Sequence, residues 1–196
     1  MGFTQKRPTL TNAWGHLKTI SKHKALVTSL CFKVGLPRQG LLHDLSKYSP
    51  TEFMTGARYW QGTRSPNAAE REELGYSVAW LHHKGRNKHH FEYWIDLDTD
   101  TFTSFEGKPM PTRYVVEMFC DRVAACKVYQ GPEYTDRSPL EYFQRGRDTR
   151  FIHPDSQALL EGMLEYLAAY GEEEALRAIR EQIVLPRYAF GERGRF

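Results

Sequence analysis

Cysteine is scarce in this chain of 196 residues: Cys31, Cys120 and Cys126 are the only three, and no two stand at CxxC spacing. That argues against a disulfide framework and a cysteine-based zinc site, and suits a reducing cytoplasm. Long apolar runs are missing too, and none approaches the roughly 20 residues of a membrane span. The opening MGFTQKRPTLTNAW has basic residues but no apolar stretch, so no secretory leader is expected. Nor does one charge dominate. Lys and Arg number 27 against 24 Asp and Glu, a net +3, too slight for a general nucleic-acid binder. A small anion in a local basic pocket stays compatible with it. No repeat, low-complexity tract or domain boundary interrupts the chain. What is present, 40% hydrophobic and 26% charged residues, describes one globular domain over 1–196 with a real core.

The periodicity predicts an all-α chain. Trp14, Leu17, Ile20, Leu26, Val27, Leu30 and Val34 recur at helical spacing from about Thr11 to Val34, with Thr11-Asn12 as cap and Gly35 and Pro37 as stop. A shorter helix is expected through Gly40–Lys47, a third after Thr51, and a fourth from Ala68 to about Lys84. Asp96–Asp100 reads as a turn and Thr101–Phe105 as a short strand, giving a small loop or hairpin insertion. Thr112–Gln130 is a strong amphipathic helix, and Glu133–Asp148 reads as a polar connector. Helices at about Pro154–Tyr170 and Glu172–Val184 should pack on the core formed by about 11–131, and the tail 191–196 reads as loose.

The eight histidines carry more information than the cysteines. His43-Asp44 within HDLSK is weak evidence alone. It gains weight from His23 upstream, the pairs His82-His83 and His89-His90 downstream, and Asp121 on the amphipathic helix with Glu117 one turn before it. An acid among apolar neighbours is costly unless it is paired or ligates a metal. Imidazole and carboxylate donors suit Mn, Fe, Co, Ni or Zn, and one shared carboxylate can bridge two ions.

The order H…HD…H…H…D resembles the HD-domain superfamily of metal-dependent phosphohydrolases. HDLSK is similar to the HDIGK element of its HD-GYP members, with Lys47 at the lysine, and His89-His90 is similar to their paired histidines. A closer resemblance is to a family of small HD-like proteins with no assigned substrate, carried by HDLSK, HHxxxNxHHxEYW and EMxxDR. The resemblance spans roughly His23 to Asp121. It implies an HD-like helical bundle in which His23, His43, Asp44 and Asp121 hold a first ion and Asp44 bridges to a second. His83 (or His82) with His89 or His90 would complete the second site. Lys47 would face a phosphate or order water. Two features depart from the HD-GYP pattern: only five residues separate the histidine pairs, and Phe91-Glu92-Tyr93-Trp94 stands where GYP would follow.

Alternatives stay open at several positions. His16 competes with His23 as a ligand. Glu117 reads as a general base or a partner of a ligand. Asn87 reads as a loop cap or a substrate contact, and Trp80, Tyr93 and Trp94 as core or stacking platforms. Arg58, Lys84, Arg86, Lys88, His82 and Arg122 are candidates for phosphate or substrate contact, the run 84–88 foremost. The leading expectation is a cytoplasmic metal-dependent phosphohydrolase, with one or two divalent transition-metal ions, acting on a nucleotide or other small phosphate ester. A mixed-valent di-iron oxygenase and a non-catalytic metal- or nucleotide-binding protein are the alternatives.

Overall fold

The computed structural model describes residues 7–186, and their architecture is all-α with one small hairpin. The expectation for the tail 191–196 lies outside the described residues. Helix α1 (Leu10–Lys33) is the longest, 24 residues. Thr9, not Thr11 or Asn12, caps it, its hydroxyl accepting from the Asn12 amide, and Gly35 at φ 85° ends it. Helix α2 (Pro37–Leu42) crosses tightly over it: a Cβ on Gly40 would lie 2.9 Å from the Cys31 Cβ.

The helix expected through Gly40–Lys47 does not run through. It stops at Leu42, His43 is non-helical, Asp44 sits in the left-handed region at φ 53°, and a 3₁₀ turn covers Leu45–Tyr48. Asp is among the few side chains that tolerate this conformation. Lys24 ties the break to α1, its Nζ donating to the carbonyls of Leu41 (2.9 Å) and His43 (2.8 Å).

Helix α3 (Pro50–Tyr59) is capped by Ser49 rather than Thr51, with Pro50 at its first position. The single helix expected from Ala68 to Lys84 is two, α4 (Pro66–Leu74) and α5 (Val78–Lys84), parted by Gly75 at φ 81°. Buried Glu70 explains the restart: it takes the Ser77 hydroxyl and the amides of Val78 (3.0 Å) and Ala79 (3.4 Å), while Ser77 caps through the Trp80 amide.

After α5 come turns over 85–90, a 3₁₀ turn Phe91–Trp94, and an antiparallel pair of β1 (Ile95–Leu97) with β2 (Phe105–Gly107). The second strand thus starts where the expected one, Thr101–Phe105, ends. Gly107 admits no side chain, because a Cβ would lie 2.5 Å from the Phe151 carbonyl oxygen. Helix α6 (Thr112–Gln130) matches the expectation, and its middle is buried on nearly all sides. The expected connector contains a helix, α7 (Ser138–Gln144), too short for periodicity to reveal. Helix α8 (Pro154–Tyr170) lies as expected, while the last segment is α9 (Glu172–Ala178) continued by a π-helical stretch Ile179–Val184.

The core gathers Val27, Leu30 and Val34 of α1, Val115, Phe119 and Val123 of α6, and Leu160, Leu164 and Leu167 of α8. At about 1.5–3 kcal/mol for each fully buried large side chain, this seam is what fixes α1 against α6. No helix among the described residues is long and apolar enough to cross a membrane.

Candidate metal centre

Helices α1 and α6, locked by that core, bring His23 and Asp121 together: His23 Nε2 lies 2.9 Å from Asp121 Oδ1. The break after α2 adds His43 and Asp44, with His43 Nε2 at 3.4 Å from His23 Nε2 and 3.5 Å from Asp121 Oδ1. A second set approaches from α5 and the turns after it: His83, His89 and His90. Asp44 stands between the sets. Its Oδ2 faces His43 Nε2 (3.2 Å) and His23 Nε2 (3.9 Å), while its Oδ1 faces His83 Nε2 (3.3 Å) and His89 Nε2 (3.4 Å). Two four-residue donor groups result, His23–His43–Asp44–Asp121 and Asp44–His83–His89–His90, each with donor atoms within 4.8 Å of one another.

Asp44 Oδ1 and the Nε2 atoms of His83, His89 and His90 are buried and have no hydrogen-bond partner. Four such atoms converging on one point are expensive in a protein interior. A cation between them resolves all four, so the residues present fit a metal ion.

The outer nitrogens of His43, His83 and His89 are engaged. Glu117, buried on α6, accepts from His43 Nδ1 (2.9 Å) and His89 Nδ1 (3.1 Å) through the same Oε1. Glu52, buried on α3, accepts from His83 Nδ1 (2.7 Å) with one oxygen and from His82 Nδ1 (2.6 Å) with the other. In the neutral rings these bonds select the tautomer in which Nε2 presents a lone pair inward, the arrangement of metal-ligating imidazoles. Glu117 and those two rings also form a third donor group, His43–His89–Glu117. Its contacts are of hydrogen-bond length, and of its two rings only His89 has an Nε2 without a partner.

Burial opposes ionisation of all four carboxylates. Against it, the His43 ring and the Lys47 ammonium hold Asp44 well below the carboxylate range, and hydrogen bonds from His23 and His43 do the same for Asp121. Glu52 and Glu117 are lowered as well, by hydrogen bonds led by His83 and His43 respectively. Asp44 in turn lifts His43 and His83 against their own burial. Burial instead pushes His23 and His90 down, toward the neutral ring that ligates. Lys47 Nζ lies 2.6 Å from Asp44 Oδ2. Buried Asp44, Glu52 and Glu117 and half-buried Asp121 outnumber the Lys47 ammonium, and divalent cations would offset that excess of carboxylate.

His16 is buried but stands apart from both groups, its ring against Phe53 and its Nε2 against Gly56. His82 is turned to Glu52. Asn87 spends its amide on the His83 carbonyl and the Ser46 hydroxyl, both at 2.8 Å, closing the turn after α5. Arg86 reaches the His82 carbonyl, and Lys88 lies over Tyr93. Lys84 and Arg122 are half-buried beside the centre. Trp80 sets its edge against His90 at 4.7 Å, walling that side, while Trp94 packs on the core. Lys47 is 29% exposed and Asp121 16%, so the centre is open to solvent on their side. Glu52 is missing from the candidates read from the sequence. Its 30-residue separation from His82 leaves no local signal, and only its place on the inner face of α3 marks it.

Residues 12–166 match the family of unknown function DUF5662, and the chain belongs to that family. No curated protein and no solved structure matches the chain.

Proposed function

We propose that the protein is a metal-dependent phosphohydrolase acting on a nucleotide or another small phosphate ester, with two divalent transition-metal ions bridged by Asp44. The observation that carries this reading is the two-sided presentation of Asp44, one carboxylate oxygen to each histidine set. It is supported by the resemblance of His23, His43-Asp44, the later histidines and Asp121 to the HD superfamily. Bound metal would supply Lewis acidity toward a phosphoryl oxygen and a water acidic enough to ionise near neutral pH.

The chain's own residues have three tasks. Glu117 and Glu52 keep His43, His89 and His83 in one tautomer and one orientation. Lys47, beside Asp44 on the open side, neutralises part of that carboxylate and offers a cation to an arriving phosphoryl oxygen. Trp80 and the buried rings exclude bulk water behind the centre, which strengthens every charge interaction within it.

The test is metal content per chain of protein purified without chelator, beside turnover of a panel of phosphomonoesters and nucleotides with and without oxygen. Near two equivalents, with oxygen-independent release of phosphate and both lost in Asp44→Ala, is the expected result. Oxygen consumption with no phosphate release, or full turnover in Asp44→Ala, overturns the reading.

A further inference from the structure

Two residues past His90, half-buried Glu92 feels the charges of Arg122, Lys84 and Arg150, yet among the described residues it forms no ion pair with any, and its Oε2 is buried without a partner. Arg122 follows Asp121 on α6. Its Nε is buried and unpartnered, and among the described residues the one acceptor its guanidinium reaches is the Met118 sulfur at 3.9 Å, a weak one.

Arg150 joins Arg122 on the same phenyl ring. The guanidinium carbons lie 5.6 Å (Arg122) and 5.1 Å (Arg150) from the centroid of Phe143, a fully buried side chain of α7. Arg150 is pinned there by a 2.6 Å bond to the Phe143 carbonyl oxygen. Gly146 makes the room: a Cβ at that position would lie 2.9 Å from Arg150 Nη2.

Neither arginine has a carboxylate within ion-pair distance among the described residues. Two guanidiniums on one ring with no carboxylate within ion-pair distance repel each other. Cation–π contact with a single ring offsets only a fraction of this. Arginines held this way meet a tetrahedral oxyanion with fixed, forked donors, which lysines on a surface do not.

We propose that Arg122 and Arg150 form an oxyanion site for a phosphate group, on the rim of the metal centre and distinct from the position between the two histidine sets. Its use as a subsite, taking a second phosphate of a substrate that carries more than one, rests on the phosphohydrolase reading. The binding of phosphate itself does not.

The experiment is titration of the full chain with inorganic phosphate in the presence of chelator at constant ionic strength, read by calorimetry and by thermal shift. Parent and Asp44→Ala should both bind, and Arg122→Gln and Arg150→Gln should each weaken binding by about tenfold or more. Should Arg122→Gln fail to fold, Arg150→Gln decides, since Arg150 lies outside the helices and is half-buried. No binding by the parent up to about 10 mM, equal to less than 3 kcal/mol, overturns the proposal. So does equal binding by the parent and both arginine variants. Failure of the hydrolase reading looks different: no metal and no turnover, with arginine-dependent phosphate binding intact.

Discussion

The two donor groups that share Asp44 are built by opposite means. His23 and Asp121 stand on the two longest helices, 24 and 19 residues, whose mutual position is set by the apolar seam between them. His83, His89 and His90 fall within eight residues of sequence, on a seven-residue helix and the turns after it. No large apolar surface fixes them. Polar contacts do: Glu52 to His83, Glu117 to His89, Asn87 across to Ser46, Trp80 against His90. One half inherits its geometry from the core, and the other is assembled by hydrogen bonds. The placement of His23 and Asp121 should therefore be insensitive to conservative polar change around them, and that of His83, His89 and His90 should not.

The strongest break of this comparison removes what the halves have in common. Asp44→Ala should lose all bound metal, as counted by elemental analysis, with the helical circular-dichroism signal kept. Next comes a change that separates the halves. Glu52→Ala should weaken binding of one metal equivalent by about 10–100-fold and leave the other unchanged in a two-site titration. Equal weakening of both would mean that the two groups are not independent.

Protons sharpen the comparison. Asp44 raises the pKa values of His43 and His83 in the ion-free fold, so both rings hold their protons to higher pH than a free imidazole, and a cation must displace them. Their protonation stabilises the ion-free fold at low pH, and that stabilisation is lost as pH rises through the raised values. Metal affinity runs the other way. It should fall as pH drops from 8 to 6, by about tenfold per pH unit for each proton displaced. Metal uptake should release protons, detectable as a buffer-dependent binding enthalpy.

The smallest expected effect is mechanical. Gly56→Ala places a Cβ 2.2 Å from His16 Nε2, at the contact of α1 with α3. Overpacking of this kind costs about 1–3 kcal/mol and should lower the melting temperature by several degrees. Because Glu52 lies on α3, any loss of metal should fall on the His83 half first.

How much of this was legible in the sequence differs between the same two halves. His23, His43-Asp44 and Asp121 could be singled out as a widely spaced pattern, and α1, α6 and α8 were readable because each shows three or more turns of apolar periodicity. The break at Asp44 was not, since LLHDLSK contains no Gly or Pro and reads as a helix; a left-handed Asp declares itself only through the contacts it serves. Glu70 and Glu52 were invisible for a related reason. Each caps or orients a group on another element, and an isolated glutamate in a helical stretch is locally the same as one facing water. Glu52 bonds both His82 and His83, and it is Asp44 that separates them, since its Oδ1 faces His83 Nε2.

Lys24, which bonds the carbonyls just ahead of Asp44, is the residue next to His23. One turn of α1 thus carries a candidate ligand and holds the backbone that presents two more. The consequence is a rule about length. A residue inserted between 25 and 42 would shift His43 and Asp44 relative to both neighbours at once, and no rotamer could recover the loss. The turn between β1 and β2 has no such double attachment to the centre and can absorb insertions. Members of the family should therefore keep a constant spacing from His23 to Asp44 and vary in length between the strands.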